Sequence, residues 1–328
     1  MSPEDRLVVR LAPAKLNLTL AVIGRRRDGF HDLHSVFAPL ALADRLSLTP
    51  IGPPGSRSDT LHVDGPDTGP SASNLVLRGI AAARQAVGAG PGRPATPPLA
   101  GRLEKRIPVA AGLAGGSSDG AAAFLGALEA WGAELDPDRR AAAAAAIGSD
   151  VPFFLTGGMA LVEGRGERVT SLTGVRGEVG VLLVTPAVPV RTPDVFAVFD
   201  GIRERGDGSI RMTSQHLAEE LAEGMTSSTF VSRAGILAVA NDLLPAAILV
   251  EPRLVTVRRA MMRALGRPVG VSGSGPTLWS LYDSRGEAEL AADRVRSAIA
   301  DGSVPVIGDA PPSIIATTVQ TGREEPST

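Results

Sequence analysis

Short alternating runs of apolar and polar residues open the chain. Leu7–Arg10 and Leu16–Ile23 each read as a strand, with Pro13 between them. Lys15 and Asn17 alternate with Leu16 and Leu18, so the two polar side chains share one strand face, which lines a cleft or forms a solvated edge. Val36–Leu42 and Arg45–Leu48 predict two further strands joined at Ala43-Asp44, and Thr60–Val63 a short one. The period then lengthens. Asn74 is placed to cap a helix over Leu75–Val87, and Gly88 ends it. Helices are also predicted up to about Trp131, over Asp136–Ile147, and over His216–Glu223, Val231–Val239, Arg253–Leu265 and Glu287–Ala300. Strands are predicted at 160–163, 180–185, 277–281 and 313–319. The segments 49–73, 88–101 and 200–215 are rich in proline, glycine or polar residues and read as loops. This order is α+β. The length suggests two domains, 1–175 and 176–321, followed by a disordered tail at 322–328.

The stretch Lys105–Ala123, KRIPVAAGLAGGSSDGAAA, breaks the pattern. Gly112, Gly115 and Gly116 allow backbone angles that a Cβ forbids. Ser117, Ser118 or Asp119 can cap the alanine-rich helix that follows. A glycine loop entering a helix N-terminus aims backbone N–H groups at one point and suits a phosphate, with Lys105 and Arg106 adding charge; a tight loop before an ordinary capped helix has the same composition. It is not a P-loop, because no lysine follows the last glycine, and the G-x-G-x-x-G pattern is absent.

Composition narrows the field. The net charge of −2 argues against wholesale nucleic-acid binding, so an anionic ligand needs a local basic site. No cysteine is present, which excludes disulfides, thiolate catalysis and Cys-ligated zinc. The four histidines are scattered and no metal site is expected from them. Met1–Arg10 lacks the apolar core of a signal peptide and no run of about 18 apolar residues occurs, so no membrane span and a cytoplasmic location are expected. Of 33 basic residues only Lys15 and Lys105 are lysine. A lysine kept against that bias points to a compact charge that must sit close to oxygens, or to chance.

Pro108–Ala121 resembles the Pro-x-x-x-Gly-Leu-x-x-Ser-Ser-x-Ala loop of the GHMP kinases, and its doubled Gly115-Gly116 resembles the 4-diphosphocytidyl-2-C-methyl-D-erythritol kinase branch. The segments Pro13–Leu18 with Arg26–His31, Gly148–Phe154, Thr192–Phe196 and Val269–Leu281 resemble that branch in the same order. The resemblance implies an S5 domain-2-like N-terminal domain, a ferredoxin-like C-terminal domain and an active site between them. It implies ATP as phosphoryl donor with Mg²⁺, and as acceptor the 2-hydroxyl of a small cytidine diphosphate ester on the way to isoprenoid precursors. No nucleic acid or membrane partner is implied. Asp150 is the implied catalytic base and Lys15 its cationic partner, although Asp150 before Pro152 also suits a plain N-cap. Asn74, Lys105, Pro108 and the run Ala110, Ala111, Gly112, Leu113, Ala114, Gly115, Gly116, Ser117 and Ser118 are the implied ATP site, with Ser117 or Ser118 able to serve the metal. Asn17, Asp150, Thr192, Gly273 and Ser274 are implied substrate contacts; Phe30 and Phe196 are expected to sandwich the cytosine while His31 reads its edge. Phe30 stands where the branch usually has tyrosine, so any hydroxyl contact is lost. Another GHMP kinase, of homoserine or mevalonate type, and a catalytically silent binder on the same fold are the alternatives.

Overall fold

One strand, β3, organises the first sheet. The computed structural model describes residues 7–66, 69–70, 73–88, 92, 95–202 and 208–321; the expected tail at 322–328 and parts of the three expected loops lie outside these. In chain order the strands are β1 (Val8–Asn17), β2 (Ala21–Arg25), β3 (His31–Pro50), β4 (Thr60–Asp64), β5 (Leu99–Glu104), β6 (Ala160–Gly164), β7 (Arg168–Ser171), β8 (Val175–Arg176), β9 (Gly180–Thr185), β10 (Met225–Thr226), β11 (Gly270–Val271), β12 (Leu278–Tyr282) and β13 (Ser313–Thr318). The helices are α1 (Leu75–Val87), α2 (Gly115–Ala130), α3 (Pro137–Ile147), α4 (Phe153–Thr156), α5 (Thr192–Gly201), α6 (Ser209–Glu223), α7 (Ser227–Ser232), α8 (Ala234–Leu237), α9 (Leu244–Val250), α10 (Arg253–Leu265) and α11 (Arg285–Ala300).

The first half of β3 pairs with β2 and β6, and its second half with β1 and β5. With β4 outside β5 and β7 outside β6, this makes seven strands. The expected break at Ala43-Asp44 does not occur. The Asp44 side chain is fully buried and hydrogen-bonded, so the strand runs through it. Pro13 likewise does not end a strand; the β1–β3 register shifts between Pro13 and Lys15, a bulge that absorbs the missing N–H. The expected strand Leu16–Ile23 is interrupted after Asn17, where the Leu20 N–H leaves the sheet to donate to Ala240 O at 2.8 Å.

Helices α1, α2 and α3 cover one face of this sheet. Asn74 Oδ1 caps α1 by accepting from Val76 N, and Gly88 ends it at φ 76°. Val76, Ile80, Ala83 and Val87 form its buried stripe, meeting Phe124 and Ala127 of α2 and Leu46, Leu48, Leu99 and Leu103 of the sheet. At the α1–α2 crossing a Cβ on Gly79 would stand 2.3 Å from Gly120 O, so the helices approach backbone to backbone. This close approach is how a core with few aromatic side chains fills its volume.

The second sheet has the order β11-β12-β9-β13, all antiparallel. Taken with α10 and α11, the sequence β9-α10-β11-β12-α11-β13 is the ferredoxin-like βαββαβ arrangement. Leu182 and Val184 face α10 and α11, while Val181 and Leu183 share a core with Leu16, Val36 and Leu40 of the first sheet and Leu18 just after β1. Val319 bridges to Leu40, and Leu42 N donates to Thr317 Oγ1 at 3.0 Å, so the two sheets are joined across that core. Between β9 and α10 lie α5–α9. The expected helix Val231–Val239 is instead α7 and α8 with a turn at Arg233, and α6 begins in the polar segment read as a loop. No helix among the described residues is long and apolar enough to cross a membrane.

Asp44 ties β3 to the start of the glycine loop. Its Oδ1 accepts from the backbone N–H groups of Arg106 and Ile107, and its Oδ2 accepts from Lys105 Nζ. Lys105 also donates to Asp119 Oδ2 of α2 at 2.7 Å. All three side chains are at most 5% exposed. Burial pushes Asp119 up to about 7; Lys105 opposes this, and the Asp44 charge adds to it. Burial alone would lower Lys105, but Asp119 and Asp44 outweigh it and raise its pKa. Asp119 Oδ1 has no partner, so a proton there breaks no hydrogen bond. Because the folded pKa of Asp119 lies above the ordinary 3.8, its stabilising contribution is full below that value and is lost as the pH rises towards about 7. Denaturant unfolding of the wild type and Asp119→Asn across pH 4–8 is expected to show this loss only in the wild type. An unchanged slope in the variant would mean that Asp119 is ionised throughout that range.

Candidate active site

A cavity of about 610 Å³ lies between the two domains. One wall is the end of β1 and the loop that follows Lys105; the other is the segment Val190–Phe196 with the glycine turn at Gly273-Ser274.

The loop earns its shape from local backbone choices. Ala110 and Ala114 both adopt left-handed conformations at φ 54°, which is uncommon for a residue with a Cβ. Gly112 has φ 75°, and a Cβ there would stand 2.5 Å from Ser272 O and 2.9 Å from Gly275 O. Gly115 and Gly116, expected to need special angles, instead form the start of α2 without positive φ. The expected serine or aspartate cap is absent as well. Helix α2 starts behind Ala114 with no side-chain cap, because Asp119 is drawn to Lys105 and the serines fall inside the first turn. The first N–H groups of the helix therefore lack a side-chain acceptor, and Gly115, Gly116 and Ser117 line the cavity. Positive dipole and open donors together make an anion site. Pro108, Ala110, Ala111, Gly112 and Ala114 line it too.

Four of the expected ATP-site residues have other primary contacts. Leu113 is buried in the shared core, and its carbonyl accepts from Lys15 N at 3.0 Å. Ser118 is buried, with no hydrogen-bond partner for its hydroxyl. Lys105 borders the cavity, but Asp44 and Asp119 already hold its charge, which corrects the expectation of a cation free for phosphate. Asn74 borders the cavity while capping α1.

Lys15 and Asn17 share a strand face as the alternation predicted. Lys15 Nζ donates to Asn17 Oδ1, lies 4.4 Å from the centroid of the Phe37 ring and stands 3.6 Å from Asp150 Oδ2. Asn17 Nδ2 in turn donates to Ser35 Oγ at 3.1 Å. Burial lowers the Lys15 pKa from its ordinary 10.5, and Asp150 draws it partly back. The plain N-cap reading of Asp150 does not hold. Pro152 occupies the cap of α4 with no side-chain bond, and Asp150 sits in the preceding turn, facing Lys15.

The second domain closes the wall through a glycine turn. Ser272 Oγ donates to Gly112 O at 3.0 Å and accepts from Asn17 N at 3.5 Å, stitching three segments together. Thr192 and Ser274 hydroxyls are 2.9 Å apart at the cavity edge. Asn241 holds the turn by donating to Val271 O and Gly273 O. Its neighbour Asp242 accepts from Val22 N at 2.8 Å.

The expected aromatic pair is rearranged. Phe196 lines the cavity, but the ring stacked on it is His31, at a centroid separation of 4.6 Å. Phe30 is 48% exposed in the turn before β3, beside the Arg165 guanidinium, and is not among the residues lining the cavity. A ring at the tip of that turn is held by one cation–π contact rather than by the core, so adjacency to His31 did not bring it to the same face. The roles of Asp44, Asp119, Ser35, Ser272 and Asp200 escaped the sequence reading, although Asp44, a lone acid in an apolar run, and Asp119, a candidate helix cap, carried a visible signal.

Comparison with known proteins agrees with this architecture. Residues 74–158 match the GHMP kinases N terminal domain and residues 215–301 the GHMP kinases C terminal family. The 4-diphosphocytidyl-2-C-methyl-D-erythritol kinase of Symbiobacterium thermophilum is 36% identical over 283 residues, covering 86% of this chain and 93% of the relative. That of Streptomyces coelicolor is 39% identical over 285 residues, covering 85% and 89%. A crystal structure of 4-(cytidine 5'-diphospho)-2C-methyl-D-erythritol kinase matches with a TM-score of 0.67 at 32% identity, covering 96% of this chain and 100% of that one. The homoserine kinase of Cytophaga hutchinsonii matches with a TM-score of 0.68 at 17% identity, which shows the shared fold. With the fold, the glycine loop and the identity in agreement over most of its length, the chain belongs to the 4-diphosphocytidyl-2-C-methyl-D-erythritol kinase family of GHMP kinases.

Proposed function

We propose that the chain transfers the γ-phosphoryl group of ATP to the 2-hydroxyl of 4-diphosphocytidyl-2-C-methyl-D-erythritol, giving the 2-phosphate and ADP, in the non-mevalonate route to isoprenoid precursors. The observation that carries this reading is the Lys15–Asp150 pair in the same cavity as the open N-terminus of α2. An alcohol attacks phosphorus readily only when its proton is accepted, and Asp150 is the carboxylate placed to accept it. Lys15, buried and shared between Asn17 and Asp150, is a preorganised positive charge for the oxygens that gain charge during transfer. The N–H groups of Gly115, Gly116 and Ser117 hold the triphosphate, and Asn74 borders the adenine side.

Magnesium fits as an ion that arrives on the nucleotide. Among the described residues no group of three histidine or acidic side chains could hold it alone, and the Ser117 hydroxyl in the first turn of α2, which lines the cavity, is the ligand at hand, whereas Ser118 is buried and does not line it. When bound, the ion neutralises charge on the β- and γ-phosphate oxygens. On the acceptor side, Phe196 with His31 stacked on it is the nucleobase end, and Thr192, Gly273 and Ser274 line the same cavity as Asp150. Small-molecule partners, rather than nucleic acid, and a cytoplasmic setting go with this reading.

Asp150→Asn is expected to keep ATP affinity in calorimetry while lowering turnover by roughly 10²–10⁴, the usual weight of a general base. Near-normal turnover would remove Asp150 from the chemistry.

Gly112→Val is expected to weaken ATP binding by about tenfold or more, because a Cβ at φ 75° collides with the turn at Ser272. Gly116→Ala, where the nearest atom to a new Cβ is 3.6 Å away, is expected to bind ATP nearly normally. Calorimetry on both folded variants checks the contrast; equal losses would place the phosphates against the helix surface itself.

Phe196→Ala is expected to raise the KM for the cytidine substrate by roughly 5- to 150-fold, the range of one lost base stack, and to leave the KM for ATP unchanged. Steady-state kinetics with each substrate varied in turn measures the split. A parallel rise in both values would return Phe196 to a packing role.

A further inference from the structure

His31 is held from two sides by one helix. Its ring stacks on Phe196 and meets Phe199 edge-on, and its Nε2 lies 2.8 Å from Asp200 Oδ1, within hydrogen-bond distance. All three partners lie on α5. The His31 side chain is only 8% exposed. Arg25 Nη1 stands 3.5 Å from the other oxygen of Asp200, so the carboxylate is itself gripped between two donors.

This arrangement fixes more than the ring's position. An ionised carboxylate only accepts, so the nitrogen facing it must carry the hydrogen. In the neutral imidazole the other nitrogen, Nδ1, is then left with a lone pair. Among the described residues Nδ1 has no hydrogen-bond partner. The centroid separation of 4.6 Å exceeds the spacing of rings stacked face on face, about 3.5 Å, so His31 is offset on the Phe196 ring, and Phe196 lines the cavity. A flat base laid against Phe196 from the cavity would meet the imidazole edge to edge.

We infer that Asp200 is a positioning residue that sets the hydrogen-bond polarity of His31, so that the nucleobase end of the site prefers a pyrimidine bearing a 4-amino group over one bearing a 4-oxo group. The inference rests on the proposed reaction with a cytidine diphosphate ester and adds to it the residue that enforces the choice. An accepting Nδ1 takes a hydrogen from the cytosine amino group and opposes the carbonyl oxygen of uracil. Stacking on Phe196 alone does not separate the two, since both bases present the same kind of flat face.

The test is an isosteric exchange. In Asp200→Asn the amide oxygen stays with Arg25, which only donates, and the amide NH₂ turns to His31. Nε2 must then accept, and the ring hydrogen moves to Nδ1. The ratio of kcat/KM for the cytidine substrate to that for its uridine analogue is expected to fall by roughly tenfold or more, with the KM for ATP unchanged. Asp200→Glu keeps an accepting carboxylate and is expected to restore most of the ratio. Nitrogen-15 NMR of the wild-type chain is expected to show the His31 hydrogen on Nε2, and in Asp200→Asn on Nδ1. An unchanged ratio in folded Asp200→Asn, a hydrogen on Nδ1 in the wild type, or equal losses for cytidine substrate and ATP would overturn the inference. Failure of the wild type to phosphorylate either pyrimidine ester would instead sink the proposed reaction, and the NMR measurement would still decide the tautomer.

Discussion

The site depends on three charges buried under the glycine loop. Lys105, Asp44 and Asp119 join the middle of β3, the entry to the loop and the first turn of α2 at one point. Removing ions from water costs several kcal/mol each, and attraction between them repays this only with good geometry. Such a cluster is therefore poor evidence for added stability. What it does supply is register. Asp44 binds two successive loop N–H groups, and Asp119 pins the helix through the same ammonium, so the loop can begin in only one place relative to the sheet.

That anchoring explains how unfavourable backbone conformations persist above it. Two alanines in the left-handed region each cost of order 1 kcal/mol or more, and a helix end without a side-chain cap leaves N–H groups unmet. Both features sit on the cavity wall, held below by the ion cluster and above by Ser272 of the second domain. A loop free to relax would cap its own helix with Ser117 or Ser118 and close the anion site. The strain and the open donors are thus consequences of the same constraint.

Much of this was legible in the chain, and the failures have physical causes. The loop, the Lys15–Asn17 face and the strand before α5 follow from local spacing, which depends on the backbone alone. The expected cap of α2 failed, unlike Asn74 at α1, because capping competes with tertiary pairing: Asp119 is drawn to the full charge of Lys105. The break at Ala43-Asp44 failed for the same reason, since a polar residue in an apolar run ends a strand only if nothing distant satisfies it. Phe30 was placed by the resemblance, yet it lies in the turn before β3, outside the strand that carries His31 to α5, and its ring meets Arg165 instead. Asn241 and Ser272 act through backbone carbonyls and N–H groups of distant segments, for which sequence carries no signal.

The two lysines bring these arguments together. Every other cation in the chain is arginine, and the two exceptions have side chains only 6% and 3% exposed, each beside carboxylates. A guanidinium is planar and broad, and it cannot enter the space between Asp44 and Asp119 or between Asn17 and Asp150 as a point charge does. The two sites then differ in one respect that separates structure from chemistry. Lys105 faces two carboxylates, and its pKa rises; it is a fixed counter-charge. Lys15 faces one, at the longer distance of 3.6 Å, and burial wins, so its pKa falls. Under the proposed reaction, a buried cation not fully compensated by its own partners is the one with attraction left for an arriving phosphoryl group, and among the described residues it stands beside the only carboxylate lining the cavity that Lys105 does not already hold.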